Sequence, residues 1–172
     1  MTVAVRRATE AAQKLLAEGQ YQIPINVHQI ALDLGLDVVE QDFEDQVSGV
    51  LVIKDSRGVI GVNSNHHRNR QRFTIAHEIG HYRLHHIGRV FIDATPVFFR
   101  DTTSAEGQSP QEIVANAFAA ELLMPENKLR EILREQPIDA FDENALRSVA
   151  NQFEVSTQAL TIRLTRLGLI SL

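Results

Sequence analysis

The chain contains no cysteine, so it forms no disulfide, offers no thiolate to a metal and carries no cysteine nucleophile. Any metal it holds must be bound through nitrogen and oxygen. Long apolar runs are lacking as well. Nothing approaches the roughly 18 residues that a membrane helix needs, and the first residues, MTVAVRRATEAAQKL, lack the continuous apolar core of a signal peptide. The expectation is a soluble, cytoplasmic protein with no membrane partner. An excess of positive charge is also missing: seventeen Lys and Arg face twenty-two Asp and Glu, a formal charge of -5 over 172 residues. That excludes a chain that coats itself with nucleic acid, while leaving room for a local basic surface. No internal repeat and no low-complexity segment is present.

The length suits one compact unit with a real core. Val3, Ala8, Ala11, Ala12, Leu15 and Leu16 recur at helical spacing up to Gly19, and a second, short helix runs from a cap at Asn26 to Gly35. The period then changes. Val38 and Val39, SGVLVIK (48–54) and VIGVN (59–63) are β-branched runs, the last two flanking a short DSRG turn, so a small antiparallel sheet of about three strands is expected. Helical spacing returns over about 66–87. The segment 88–108 has aromatic residues but no steady period, and Phe91, Phe98 and Phe99 serve there either to shape a cleft or as small core anchors. Ser109 and Pro110 then announce a helix that Pro125 limits, 126–135 reads as another, and two more follow Asp142 and Ser156. Helix, sheet, helix, loop, helices is the order of an α+β domain.

What the chain does have is a crowd of histidines. Four of the seven lie in FTIAHEIGHYRLHH (73–86), and His77-Glu78-Ile79-Gly80-His81 has the form H-E-x-x-H. Residues four apart in a helix lie about 40° apart around the axis and one turn along it, so both rings reach one ion. Glu78, about 100° round from His77, reaches water at that ion rather than the ion itself. On the same wheel Phe73, Ala76, Ile79, Gly80 and Leu84 fall between roughly 200° and 340°, so the helix is expected to bury that side and turn the histidines to a cleft. Gly80 lowers helix propensity by about 1 kcal/mol relative to Ala, which points to a close approach by a neighbouring backbone. The competing reading is a helix whose His and Glu are merely exposed or satisfied in the core.

His85 continues the histidine face, but stands about 12 Å along the axis from His77, too far to share one ion. His85 and His86 are read mainly as helix-end residues, and His66 and His67, among Arg68, Arg70 and Arg72, as a solvated start to the helix. A catalytic zinc takes three protein ligands, and no histidine follows His86, so the third is expected to be a carboxylate. Glu112 and Glu121 lie in the next strongly helical stretch on opposite faces, about 180° apart. Glu112 shares its face with Asn116, which can accept a hydrogen bond from a ligand histidine and fix its tautomer. Its rival role is a capping box with Ser109; Asp101 and Glu106 are weaker candidates for the metal.

Two blocks, FTIAHEIGHYRLH (73–85) and E-x-x-AN-x-FAAELLMP (112–125), resemble the ImmA/IrrE metallopeptidases. The similarity extends upstream through IALDLGLDV and SGVLVIKDSRGVIGVN and downstream to VSTQALTIRLTRLGLI, with 88–108 the least matched part. The resemblance implies a zincin-like domain with a gluzincin-like site: His77, His81 and Glu112 on one zinc, Glu78 as acid/base, and Asn116 where related zincins often have Asp. It also implies hydrolysis of a protein substrate, a helix-turn-helix repressor of the Xre type, with consequent derepression of genes. Tyr82, His85, His86 and Arg163 are the candidates to contact substrate or the oxyanion. The expected division is a peptidase domain over 1–135 and a helix-turn-helix-like segment over 136–172 packed on it. Arg163 and Arg166 in that segment give a second class of function, a DNA-binding or partner-binding regulatory module of the toxin-antitoxin kind, with a latent or structural zinc site.

Overall fold

The computed structural model describes residues 2–54, 57–85, 90–93, 109–136, 138–139 and 141–171. Helix α1 (Val3–Gly19) starts at Thr2, whose hydroxyl accepts from the Val5 amide, and buries Ala8, Ala12 and Leu15. Helix α2 (Val27–Asp33) is capped by Asn26 and followed by Gly35 at φ +75, a left-handed conformation that glycine adopts without strain. No helix among the described residues is long and apolar enough to cross a membrane.

The three strands read from the sequence are β1 (Leu36–Gln41), β2 (Gly49–Lys54) and β3 (Arg57–Asn63). The hairpin between β2 and β3 is antiparallel, with Leu51 opposite Ile60. Two features differ from the expected small antiparallel three-stranded sheet. First, β1 pairs parallel with β3, Val38 opposite Ile60. The connection 42–48 carries the chain past β3's place in the sheet, so β3 turns back into the gap between β1 and β2. Buried Asn63 holds that connection, its amide donating to the carbonyls of Phe43, Glu44 and Val47 at 3.3, 3.2 and 2.8 Å. Second, a fourth strand, β4 (Val90–Asp93), pairs antiparallel with β2 and gives the order β1-β3-β2-β4. Val90-Phe91-Ile92-Asp93 does not alternate apolar with polar residues, which hid β4 inside an aperiodic segment. Phe98 and Phe99 lie outside the described residues.

One face of the sheet, with Leu51, Ile60 and Val62, packs on helix α3 (Arg68–His85) through Ile75 and Ile79, giving an α+β fold. From Arg72 to His81 every residue of α3 is buried. Neighbours surround it: α1, α2, β2, β3 and helix α4 (Pro110–Leu123) all contact α3. The approach anticipated at Gly80 is made by α4, where a Cβ would stand 3.2 Å from Phe118 Cδ1 and 3.3 Å from both Cα and O of Ala115.

Helices α5 (Glu126–Glu135), α6 (Glu143–Phe153) and α7 (Thr157–Arg166) complete the chain, with Asp142 and Ser156 as side-chain caps of the last two. Arg72, expected in a solvated helix start, and Arg163, expected to face phosphate or the oxyanion, are both buried. Arg72 donates to the Phe153 and Glu154 carbonyls at the end of α6, both at 3.3 Å, and pairs with the Glu154 carboxylate at 3.1 Å, a cation meeting a helix C-terminus. Arg163 of α7 pairs with Glu121 of α4 and donates to the Met124 carbonyl at 3.3 Å. Glu121 also accepts from the Gln13 amide of α1 at 2.9 Å. Both partners are nearly sealed, at 9% and 1% side-chain exposure. Removing one partner leaves the other charge buried and uncompensated. Arg163→Ala is therefore expected to lower stability by about 3–5 kcal/mol, read from the urea midpoint, whereas Arg163→Met with Glu121→Leu should lose much less.

Candidate metal centre

Helix α3 presents His77 and His81 one turn apart, and α4 presents Glu112 in its first turn. His77 Nε2 lies 3.1 Å from Glu112 Oε2, His81 Nε2 lies 3.2 Å from Glu112 Oε1, and the two imidazole Nε2 atoms are 2.9 Å apart. These three residues form a group that could hold a metal ion, with all ligating atoms within 4.8 Å of one another. A tetrahedral ion with nitrogen and oxygen ligands at about 2.05 Å requires edges of about 3.3 Å between ligand atoms, so the observed triangle is close to the size an ion needs. The chemistry of the donors fits as well. Two ring nitrogens and a carboxylate turned toward one point bring together lone pairs, which repel unless a cation or a proton lies between them.

The ring of His77 is oriented from behind. Its Nδ1–H donates to Asn116 Oδ1 at 2.9 Å, which leaves the Nε2 lone pair directed at Glu112 and His81. Asn116 is one turn beyond Glu112 on the same face of α4. The pairings run in opposite senses along the two helices: His77 with Asn116, His81 with Glu112. The cap and the carboxylate of Glu112 have separate tasks. Its amide donates to Ser109 Oγ at 3.2 Å, while its carboxylate is engaged by the histidines. Burial pushes that carboxyl up, but the hydrogen bonds and charges of His77 and His81 outweigh it and hold Glu112 well below the usual carboxylate range.

His77, Glu78 and His81 are 1%, 0% and 2% exposed, whereas Glu112 keeps 27% of its side chain accessible, so the centre opens along α4. Glu78 lies against β2: a Cβ built on Gly49 would be 3.4 Å from Glu78 Oε1 and 2.4 Å from Thr74 Cγ2. Sequence reading missed this contact, although a glycine inside a strand is a signal of close approach. Tyr82 is half-buried on the next turn of α3, packed against the core. Arg163 is not brought to the centre, since its guanidinium is committed to Glu121 on the opposite face of α4 from Glu112, and it is equally withheld from a nucleic-acid phosphate. The His85 side chain, His86, Asp101 and Glu106 lie outside what is described. His66 and His67 bond locally, His66 Nε2 at 3.3 Å from the Asp45 carbonyl and His67 Nδ1 accepting from the Asn69 amide.

Comparison with known proteins adds a family. Residues 31–165 match the profile of peptidase family M78, the IrrE N-terminal-like domain. The chain belongs to this family. The matched stretch includes every residue of the metal centre and runs to within α7. Among curated relatives, the IrrE-like chain is 27% identical over 101 residues to uncharacterized immunity region protein 2 of Bacillus phage phi105. That match covers 59% of this chain and 60% of the relative.

Two consequences can be measured. Asn116→Ala should weaken divalent-metal affinity about 10–100-fold by titration calorimetry, with helicity unchanged, because the His77 tautomer is no longer fixed. Because Glu112 is held deprotonated, protons compete with metal at the imidazoles; affinity should fall as pH is lowered through the range where histidines titrate, with proton release on binding.

Proposed function

We propose that this IrrE-like chain is a zinc-dependent endopeptidase that hydrolyses a peptide bond in a cytoplasmic protein substrate. The observation that carries the reading is the triangle of His77, His81 and Glu112, with Glu78 on the residue next to His77. His77, His81 and Glu112 would hold zinc, the ion best suited to two imidazoles and a carboxylate with a fourth position left for water. When bound, zinc supplies Lewis acidity, polarising a peptide carbonyl and making water nucleophilic near neutral pH. Glu78 takes the proton from the attacking water and returns it to the leaving amine. Asn116 keeps the His77 ring in its ligating tautomer. Arg163, engaged by Glu121, drops out as an oxyanion donor.

The substrate we favour is a helix-turn-helix repressor of the Xre type, whose cleavage would derepress genes. Its support is the resemblance of both sequence blocks to the ImmA/IrrE peptidases, together with the words "immunity region" in the name of the phage relative. Residues 136–172 would then act as a helical pair docked on the peptidase part, 1–135, through Arg163 and Arg72 rather than as a reader of DNA.

The test incubates metal-loaded protein with the helix-turn-helix repressor encoded next to its gene, beside a Glu78→Gln variant, and reads fragments by mass spectrometry. The variant should retain zinc and lose hydrolysis by at least about 100-fold. Full cleavage by Glu78→Gln would remove Glu78 from the chemistry. Binding of the repressor without metal-dependent fragments would replace the peptidase reading with that of a partner-binding module.

A further inference from the structure

Residues 70, 74 and 78 follow one another at successive turns of α3, and that stripe faces the start of β2. Arg70 Nη2 donates to Ser48 Oγ at 2.9 Å, Thr74 Cγ2 meets Gly49, and the Glu78 carboxylate meets Gly49 one turn later. Ser48, Thr74 and Glu78 are each 0% exposed, and Gly49 is buried. The beginning of β2 is fixed from its other side too, by the Asn63 amide donating to the Ser48 carbonyl at 3.0 Å. A Cβ at position 49 would be 2.4 Å from the Thr74 methyl, 3.0 Å from the Gly61 carbonyl oxygen and 3.4 Å from Glu78 Oε1. The first separation is below any real contact, the second is tight and the third is ordinary. Only a glycine lets the strand come this near the helix.

A glutamate side chain has three rotatable bonds, and unrestrained it leaves its carboxylate spread over many positions. The buried Glu78 carboxylate has Oε1 3.4 Å from where a Gly49 Cβ would stand, and the Thr74 methyl, one turn earlier on α3, lies against the same glycine. We propose that Gly49 is a positioning residue for Glu78, setting the rotamer in which its carboxylate serves the adjoining metal centre, with Thr74 as the packing partner that makes glycine obligatory. This rests on the peptidase reading above for its effect on rate, but not for its effect on the position of Glu78.

The variant Gly49→Ala must push on the Thr74 methyl and, through that turn of α3, on Glu78. Misplacing a reacting group by about 1 Å costs up to about 100-fold in rate. The expected result is a kcat lower by about 10- to 100-fold, with KM and zinc stoichiometry unchanged. Adding Thr74→Ala removes the methyl that the new Cβ meets. The hydroxyl lost with it has no hydrogen-bond partner among the described residues. Gly49→Ala/Thr74→Ala should therefore recover most of the lost kcat, whereas Gly49→Ala/Thr74→Val, which keeps the methyl, should not. The second readout is the side-chain carboxyl 13C resonance of Glu78, assigned by its absence in Glu78→Gln, in the zinc-loaded protein. It should shift in Gly49→Ala and return in the Thr74→Ala double variant. If the wild type cleaves no peptide, the peptidase reading fails while the resonance still decides the positioning role. An unshifted Glu78 resonance in Gly49→Ala overturns the proposal. So does a loss of zinc binding and thermal stability in step with activity that Thr74→Ala does not relieve, since that pattern marks general packing damage.

Discussion

Two helix backbones approach one another at Gly80 and Ala115 so closely that a Cβ on Gly80 would crowd Ala115 and Phe118 at 3.2–3.3 Å, and the metal centre depends on that separation. A histidine on α3 and a glutamate on α4 can reach a common point only when the helices are this close. The antiparallel pairing then makes the ladder from His77 and Asn116 to His81 and Glu112 follow from helix geometry alone. Moving α4 out by one methyl group would stretch both edges that join Glu112 to the histidines. The apolar contacts beside it, Phe118 on Gly80 and Ile79 in the shared core, are therefore as much a part of the centre as its ligands.

The opposite side of α4 is constrained by different physics. There Glu121 is met by Arg163 from the last helix and by Gln13 from the first, so the helix carrying Glu112 is tied at its far end to both ends of the chain. A buried pair of this kind contributes little net stability compared with apolar packing, but it tolerates few alternative arrangements, because any shift leaves a charge without its counter-ion. Apolar contacts hold α4 against α3, and the ion pair fixes how it is turned. Each glutamate is assigned to its side by helix phase.

Much of this was legible in the sequence because it is local. Caps at Asn26, Ser109, Asp142 and Ser156 all accept the expected backbone amides, since capping is decided within three residues. That His77 and His81 come together follows from an i, i+4 spacing, and that Glu112 rather than Glu121 joins them follows from helical phase. What escaped is what depends on distant neighbours. The parallel pairing of β1 with β3 is set by a connection held from Asn63, and β4 by its partner β2 rather than by its own four residues. Burial was misjudged wherever polar residues satisfy each other. Arg72, placed in a solvated helix start, is sealed against the end of α6, and Arg163, offered to phosphate or to the oxyanion, is sealed against Glu121, because sequence patterns weigh side chains singly and not in pairs.

The separation of the ligands along the chain has a consequence for how the protein comes into being. His77 and His81 lie on one helix, but Glu112 follows His81 by thirty-one residues (112 − 81) and must be brought back by a closed loop. The H-E-x-x-H segment, emerging first during synthesis, carries two donors and no carboxylate partner from α4. The three-donor set comes into existence only when α4 has been made and has docked, so assembly of the centre is a late, non-local step whose rate is governed by topology rather than by helix formation. That order of events would leave the nascent chain without a three-donor site for a metal until it is folded.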